Sequence, residues 1–368
     1  MKALRVVSDP WLAGLDEGRV RIGPRSIHVD VTNACNTNCI TCWDHSPLLE
    51  RPRSAEWKRQ AVSAAGLEAL LDDVLGLGGL EAVVVSGMGD PFTHRDVYRL
   101  IEAVKARGLH LTIITNLIPA DPERLLALGV DQLLIGIHAA SEEAYRAFHP
   151  SFRGDEWARL HQALARFKAA GRRFKHVQVI CRVNAHELVD MVRLAWRYGA
   201  ERVNFKLAGL KDGTEAARIS EPQRAALLTE LVPEARQVAD GLGVVTNLDV
   251  FSAQLGAGGA ATAPIAEVGC FMGQAYARVL VDGTVLYCCN TDVVVGSLAD
   301  GTRFSELWDG PAWNALRARL REGRYFPSCD QCGKLNQNVK LGRKFARLYG
   351  EDRLRQVTGQ VRGLKAAP

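Results

Sequence analysis

The chain has 368 residues, 47% of them hydrophobic, and it carries a net charge of +5. This length accommodates a large domain with a smaller module, and no apolar run is long enough to span a membrane. Residues 1–15 lack the charged segment and apolar core of an export signal. Nine cysteines in a chain that is not exported are typical of metal ligands and free thiols. We therefore expect a cytoplasmic protein without a membrane association.

The first informative motif is a cysteine triplet that follows a strand-like run, Ile27–Val31. Cys35, Cys39 and Cys42 are spaced C-x3-C-x2-C, and clustered thiolates are ligands for soft metal centres, above all iron–sulfur clusters. A [4Fe–4S] cluster on three thiolates keeps one iron open to a small-molecule ligand. The alternative is a zinc knuckle, but zinc prefers paired C-x2-C half-sites.

A second apolar run, Glu81–Val85, ends in a glycine-containing turn, and glycine lets the backbone approach a ligand closely. By itself this turn would be an ordinary strand-to-helix connection with Asp-Pro as breaker. The cysteine spacing after the first strand resembles that of the radical S-adenosylmethionine enzymes. In that family the open iron chelates the methionine group, and reductive cleavage yields a 5′-deoxyadenosyl radical. The resemblance implies that Gly87, Met88 and Gly89 meet the methionine amine, with Asp90 where the family usually has Glu.

Strand and helix patterns alternate through the first two-thirds of the chain. Further predicted strands are Leu111–Thr115, Leu133–Ile137, Val177–Val183 and Arg202–Leu207. Predicted helices are Arg95–Arg107, Pro122–Leu128, Glu156–Ala170, Glu187–Tyr198 and Pro222–Ala239. Repeating β–α units predict a parallel sheet covered by helices, and six units suit the partial (β/α)6 TIM-like barrel that the resemblance implies. Ligands then gather at the carboxyl ends of the strands.

Polar residues at these strand ends are candidates for ligand contacts. The resemblance implies that Ser141 bonds the ribose of the cofactor, although it could also cap the following helix. Asn116 contacts the cofactor or caps a turn. Arg182 and Asn184 are candidates for binding the cofactor carboxylate. His138 is either a proton-transfer group or a structural histidine.

Two further features of the sequence concern the binding of the cofactor and of the substrate. Many family members carry an aromatic residue before the third cysteine, whereas here Thr41 precedes it and Trp43 follows it. Trp43 is therefore a candidate adenine contact or a core or lid aromatic. Asn204 and Lys206 end the sixth predicted strand and are candidates for substrate contact.

The last third of the chain has the pattern of a separate module. Gly256–Ala263 is rich in small residues and predicts a linker. Asp282-Gly283 between the β-branched runs Tyr276–Val281 and Thr284–Cys288 predicts a β-hairpin. A predicted helix, Ala312–Arg321, follows the hairpin.

Four cysteines of this module, Cys270, Cys288, Cys329 and Cys332, resemble the Twitch module, the shortened form of the SPASM extension. The resemblance implies a second [4Fe–4S] cluster that is closed by four thiolates. No cysteine follows Cys332, so a further auxiliary cluster is excluded. Zinc on four cysteines is the alternative.

The remaining cysteines, Cys181 and Cys289, have alternative roles. Cys181 lies in a predicted strand and either donates hydrogen to a substrate radical or packs as a small buried hydrophobe. Cys289 either replaces Cys288 as a ligand or packs on the other face of the hairpin, because neighbours in a strand point oppositely. In an epimerase, either thiol would be a catalytic hydrogen donor.

We expect four consecutive parts: an N-terminal segment (1–24), the barrel (25–250), the auxiliary module (264–336) and a basic C-terminal helix or tail (337–368). The tail has few aromatics among its basic residues, which argues against nucleic-acid binding. It is either a solvated helix or a docking face for an acidic flavodoxin- or ferredoxin-type reductant, as the resemblance implies.

The resemblance implies hydrogen abstraction from an unactivated C–H bond. With the auxiliary cluster as electron acceptor, the leading expectation is oxidation of an alcohol to a ketone on a small polar, sugar- or cyclitol-like substrate. Alternatives are radical epimerisation, decarboxylation or dehydration, and modification of a peptide. Outside enzymology, the chain could be an electron carrier or a zinc-stabilised binding module.

Overall fold

The computed structural model describes residues 9–258, 262–291 and 293–359. Its strands are β1 (Ser26–Asp30), β2 (Ala82–Ser86), β3 (His110–Thr115), β4 (Gln132–Gly136), β5 (Lys175–Ile180), β6 (Arg202–Leu207), β7 (Val245–Thr246), β8 (Tyr276–Val279), β9 (Thr284–Leu286) and β10 (Val294–Ser297). Its α-helices are α1 (Pro10–Glu17), α2 (Ala55–Lys58), α3 (Ala64–Gly76), α4 (Val97–Ala106), α5 (Pro122–Ala127), α6 (Glu142–Phe148), α7 (Glu156–Ala169), α8 (Leu188–Arg197), α9 (Glu221–Ala226), α10 (Val232–Leu242), α11 (Leu248–Gly256), α12 (Ile265–Val268), α13 (Met272–Ala275), α14 (Phe304–Trp308), α15 (Pro311–Arg321), α16 (Leu335–Tyr349) and α17 (Glu351–Thr358).

The described residues form two compact units that interleave along the chain. We call residues 30–62 and 84–258 the barrel unit, and residues 9–29, 63–83 and 262–359 the auxiliary unit. The chain passes from the auxiliary unit to the barrel unit within β1 and again within β2. The predicted domains are continuous instead, and their boundaries stay a prediction.

Strands β2 to β7 lie in chain order in the sheet, and each pairing from β3 to β7 is parallel. Helices between consecutive strands return the chain to the same edge, as parallel pairing requires. One core of this unit packs helices α8, α10 and α11 against β5 and β6 through buried apolar side chains, including Ile180, Val192, Phe205, Ala235 and Phe251. The repeating β–α prediction is confirmed.

The auxiliary unit contains the strand order β10–β9–β8–β1. Strands β8, β9 and β10 pair antiparallel, whereas β1 pairs parallel to β8. Gly283 has a φ of 85° in the turn between β8 and β9, which glycine adopts without strain. The predicted hairpin is therefore confirmed. Helix α1 packs Leu12 and Leu15 against Phe345 of α16 and Leu354 of α17.

Local capping explains where several helices begin. The Asp121 side chain accepts hydrogen bonds from two backbone N–H groups of α5, and proline occupies its first turn. Ser220 and Gln223 form a capping box at the start of α9. The predicted helix Pro222–Ala239 continues from α9 through one π-helical turn into α10.

Some sequence predictions differ from the structure or fall outside it. Strand β5 ends at Ile180, not Val183, because the Asn184 side chain accepts the hydrogen bond of the Cys181 N–H. The predicted linker Gly256–Ala263 begins at the last residue of α11, and its residues 259–261 lie outside the described residues. Residues 360–368 of the predicted tail also lie outside them. No described helix combines the length and apolarity needed to cross a membrane.

Candidate active site and auxiliary metal centre

The cysteine triplet lies on the loop that follows β1, in the barrel unit. The three thiols are free and half-buried. The Cys42 Sγ accepts hydrogen bonds from the backbone N–H groups of Asp44 and His45 at 3.4 and 3.3 Å, and such donors favour a thiolate. Burial raises the pKa of the Cys35 thiol to about 12, so a thiolate there needs a nearby positive charge such as a metal centre supplies.

The glycine loop after β2 packs directly against the backbone that leads into the triplet. A Cβ on Gly87 would lie 2.2 Å from the Thr32 carbonyl oxygen, and one on Gly89 would lie 1.7 Å from the Ala34 carbonyl oxygen. Neither glycine has a positive φ, so close approach, not left-handed backbone, requires glycine at both positions. Met88 lies between them, and its predicted contact with the cofactor stays a prediction.

Asp90 is buried, and its carboxylate is committed to the protein. It accepts hydrogen bonds from the Asn116 N–H at 2.7 Å, the Thr115 hydroxyl at 2.9 Å and the Phe92 N–H at 2.9 Å. Burial raises the pKa of this carboxyl, and the backbone donors oppose that effect. Asp90 therefore joins the end of β2 to the end of β3, and its predicted contact with the cofactor stays a prediction.

Asn116 caps a turn and also reaches the cysteine loop. Its side-chain oxygen accepts from the Ile118 N–H at 3.0 Å. Its side-chain nitrogen donates to the Asn36 side chain at 2.8 Å, and Asn36 directly follows Cys35. The Asn116 amide thus fixes the cysteine loop relative to β3. This position is compatible with both predicted roles of Asn116, which are cofactor contact and capping of a turn.

His138 follows β4 in a strained backbone conformation, with a φ of 64°. Its Nδ1 accepts a hydrogen bond from the Val179 N–H at 3.0 Å. Because a backbone N–H can only donate, the ring is neutral and carries its proton on Nε2. Burial together with the nearby charge of Lys206 lowers the pKa of His138 well below its usual value. The ring therefore presents an N–H donor at Nε2, and the choice between the two predicted roles of His138 stays a prediction.

Asn184 is fully buried, and its side chain serves the backbone. It accepts from the Cys181 N–H at 2.8 Å and donates to the His138 and Val179 carbonyl oxygens at 2.7 and 2.8 Å. These bonds engage its amide, which argues against the predicted contact with the cofactor carboxylate. Arg182, by contrast, has an exposed side chain, and its predicted contact with that carboxylate stays a prediction.

Ser141 caps α6, because its hydroxyl accepts from the Ala144 N–H at 3.2 Å. Its own N–H and that of Ala140 donate to the buried Glu187 carboxylate at 3.4 and 2.7 Å. Sequence reasoning missed Glu187. The only signal for it was a carboxylate at the first position of a predicted helix, which gave no indication of the partner 46 residues earlier.

Cys181 has no exposed surface and packs with Ile40, Phe148 and Ala217 in an apolar cluster. Burial raises the pKa of its thiol to about 11. This environment fits the small hydrophobe and argues against the hydrogen donor, because no substrate reaches a fully buried sulfur in this conformation.

The second cysteine group lies in the auxiliary unit. Its five members are free and half-buried: Cys270, Cys288, Cys289, Cys329 and Cys332. The loop with the C-x2-C pair packs against the apolar side chains of α12 and the start of α16. The Cys288 sulfur accepts a hydrogen bond from the Asn290 N–H at 3.4 Å. The Cys332 sulfur accepts one from the Asn338 side chain at 3.7 Å.

The hairpin does not place Cys289 by strand alternation. Strand β9 ends at Leu286, so the alternation that predicted opposite faces for Cys288 and Cys289 does not extend to these residues. A Cβ on Gly333 would lie 2.9 Å from the Cys289 Sγ. Cys289 thus faces the C-x2-C loop and stays a candidate ligand beside Cys288.

No three His, Cys, Asp or Glu side chains in the described part of the chain come together at the spacing of a single metal ion. The ligand sets therefore rest on the cysteine spacing, the sulfur-directed hydrogen bonds and the glycine contacts. Thiolate ligands on two separate loops fit iron–sulfur clusters.

Comparisons with known proteins identify two domains in the chain. Residues 29–195 match the radical SAM superfamily, and residues 270–333 match an iron–sulfur cluster-binding domain known as SPASM. A PqqA peptide cyclase from Xanthomonas campestris pv. campestris (strain 8004) is 25% identical over 323 residues, which cover 84% of this chain and 80% of that protein. An AdoMet-dependent heme synthase from Methanosarcina barkeri is 26% identical over 203 residues, which cover 54% of each chain.

Solved structures show the same fold. SuiB from Streptococcus suis, bound to the precursor peptide SuiA, has a TM-score of 0.61 at 16% identity and covers 88% of this chain and 73% of its own. A structure of anSMEcpe with bound AdoMet has a TM-score of 0.60 at 16% identity, with coverages of 91% and 95%.

The fold and the two cysteine sites define an iron–sulfur enzyme with a parallel, partial TIM-like barrel. The chain is a radical S-adenosylmethionine enzyme with a C-terminal SPASM-type module. Its cofactors are [4Fe–4S] clusters and S-adenosylmethionine.

Proposed function

We propose that this enzyme modifies a peptide by abstracting a hydrogen atom from one of its carbon atoms. Similarity to a PqqA peptide cyclase extends over 84% of this chain and is the observation that carries the proposal. The sequence alone favoured a sugar-like alcohol, and it gave peptide modification as an alternative. Relatives named for peptide modification now favour that alternative.

The bound cluster and S-adenosylmethionine would supply the carbon-centred radical that abstracts hydrogen. Cys35, Cys39 and Cys42 would hold the cluster, and Gly87 and Gly89 would bring the β2 loop against them. The protein's other task is to hold a flexible chain near that radical, because misplacement by about 1 Å costs orders of magnitude in rate.

Side chains at the strand ends can hold a peptide in place near the radical. The Nε2–H of His138 is a fixed donor that suits a peptide carbonyl or a carboxylate oxygen. Trp43, 49% exposed, donates to the Gly209 carbonyl oxygen at 2.6 Å. The Lys211 ammonium lies 4.5 Å from the centre of the Trp43 ring. An aromatic surface next to a cation favours a peptide with acidic and aromatic side chains.

Cys270, Cys329, Cys332 and either Cys288 or Cys289 would hold the auxiliary cluster, which would accept the electron left on the substrate. Formation of a bond between two substrate carbons removes two hydrogen atoms, one by abstraction and one as a proton plus an electron. The product is then 2 Da lighter than the substrate.

A reductant must supply the electron that starts each turnover. Lys340, Arg343 and Arg347 are exposed on α16, and their spacing places them on one side of that helix. We expect this side to bind an acidic flavodoxin- or ferredoxin-type protein, with affinity that falls as salt is added.

Oxidation of a sugar- or cyclitol-like alcohol is the second candidate. The observation that favours it is the four-cysteine pattern without any cysteine after Cys332, which resembles the module of relatives that act on such alcohols. Epimerisation with Cys181 as donor loses support from the complete burial of that thiol. No feature of the described residues favours decarboxylation or dehydration.

The test is anaerobic reconstitution, followed by incubation with S-adenosylmethionine, dithionite and two substrate panels. One panel contains synthetic peptides with acidic and aromatic residues, and the other contains sugars and cyclitols. We expect about eight irons per chain, formation of 5′-deoxyadenosine that the peptides stimulate, and a peptide product 2 Da lighter. Stimulation by a cyclitol alone, with a ketone product, would favour the second candidate.

A further inference from the structure

A buried amide links two of the loops that carry the auxiliary cysteines. Asn338 lies on α16 and has no exposed surface. Its side-chain oxygen accepts from the Phe271 N–H at 2.9 Å, next to Cys270. Its side-chain nitrogen donates to the Cys332 Sγ at 3.7 Å, which is within the range of an N–H···S hydrogen bond. Asn338 therefore joins the backbone next to Cys270 to the sulfur of Cys332.

The two contacts fix the orientation of the amide. Because the Phe271 N–H can only donate, the Asn338 oxygen must face Cys270 and the nitrogen must face Cys332. The ring of Phe271 packs one turn further along the same face of α16, 3.3 Å from the position of a Cβ on Gly342. The donor toward Cys332 is thus held in place and cannot rotate away.

A fixed donor to a ligand sulfur has a defined electrostatic effect. Hydrogen bonds to cluster sulfurs stabilise the more negative, reduced state and so raise the reduction potential. The effect is largest where water is excluded, and Asn338 is fully buried. Sequence comparison does not point to this residue, since the matched cluster-binding domain ends at residue 333.

We infer that Asn338 is a positioning residue that raises the reduction potential of the auxiliary cluster through its N–H···S bond to Cys332. The bond makes the cluster a better acceptor for one electron from the substrate radical. This inference rests on the proposed cluster at Cys270, Cys329 and Cys332, but not on the identity of the substrate.

The test uses a parent in which the three triplet cysteines are replaced by Ala, so that the auxiliary cluster alone contributes to the spectrum. Asn338→Asp keeps an oxygen for the Phe271 N–H and replaces the donor by an acceptor. EPR-monitored redox titration of reconstituted protein should show a ratio of reduced to oxidised cluster about tenfold lower at the parent's midpoint. That ratio equals a potential about 59 mV lower for a one-electron couple.

Asn336→Asp is the matched control, because Asn336 is exposed on the same helix and gains the same charge. Its midpoint should stay at the parent value. Asn338→Ser is a second variant, whose hydroxyl is too short to reach Cys332, and it should also lower the midpoint.

The outcomes separate the inference from the proposed function. If either Asn338 variant binds about four irons with the parent's midpoint, or shifts no more than Asn336→Asp, the inference is wrong. Loss of the cluster in both variants would make Asn338 a structural clamp and would also overturn it. A parent without iron would refute the auxiliary cluster itself, and the inference with it.

Discussion

Replacing Gly89 by Ala tests whether the close approach of the glycine loop positions the cysteine triplet. The new Cβ would lie 1.7 Å from the Ala34 carbonyl oxygen and 2.4 Å from its carbon. Real Cβ contacts stay above 3.0 Å, so this carbonyl group must retreat by about 1.3 Å. The clashing atoms belong to the backbone of Ala34, which cannot relieve the clash by changing a side-chain rotamer.

The displacement has two energetic consequences. Overpacking costs about 1–3 kcal/mol. The Ala34 carbonyl also accepts from the Asp90 N–H at 2.9 Å and the Thr93 hydroxyl at 2.8 Å, and weakening each bond costs about 1 kcal/mol. We expect a total loss of about 3–5 kcal/mol. Because Cys35 follows Ala34, cleavage of S-adenosylmethionine should fall about 100-fold.

Chemical denaturation and 5′-deoxyadenosine formation measure the two effects. Gly241→Ala is the control, since no atom lies within 4 Å of its Cβ position in helix α10. That variant should be neutral or slightly more stable, by up to about 1 kcal/mol. If Gly89→Ala keeps wild-type stability and cleavage, the glycine loop does not position the triplet as we argue.

Three other predictions concern the barrel unit. Asp90→Ala leaves the buried N–H of Asn116 without its acceptor and should cost about 3 kcal/mol in denaturation, whereas a change below 0.5 kcal/mol would contradict this. Burial lowers the pKa of His149 to about 4, so as pH falls the unfolded chain binds a proton before the folded one does. Stability should therefore fall by about 3 kcal/mol between pH 6.5 and 4, and His149→Phe should flatten that slope; equal slopes would refute it. Replacing the three triplet cysteines with Ala should abolish cleavage but leave about four irons, and retained 5′-deoxyadenosine would overturn the cluster assignment.

Sequence patterns predicted the parts of the fold that depend on local chemistry. The predicted strand Arg202–Leu207 alternates polar and apolar residues between two helices, and the observed β6 has the same bounds. The hairpin at Gly283 followed from a turn that requires positive φ. The pairing of β1 with β8 was not predicted, because no local pattern records which distant strand lies alongside.

Roles of individual polar residues were harder to predict. Asp90 and Asn184 stand at strand ends, where ligands bind, yet the structure commits their side chains to nearby backbone groups. Glu187 and Asn338 were missed, since each acts on a residue far away in sequence. A sequence shows that a side chain can form a hydrogen bond, but only the packed chain determines its partner.

The pairing of β1 with β8 affects the order in which the chain folds as it leaves the ribosome. Ser26 lies beside Tyr276, so the first strand has no lasting neighbour on that side until residue 276 has been made. Contacts between such distant residues form slowly, and an unpaired strand edge invites aggregation meanwhile. Truncation before residue 276 should then yield an insoluble chain, even though the whole triplet would be present.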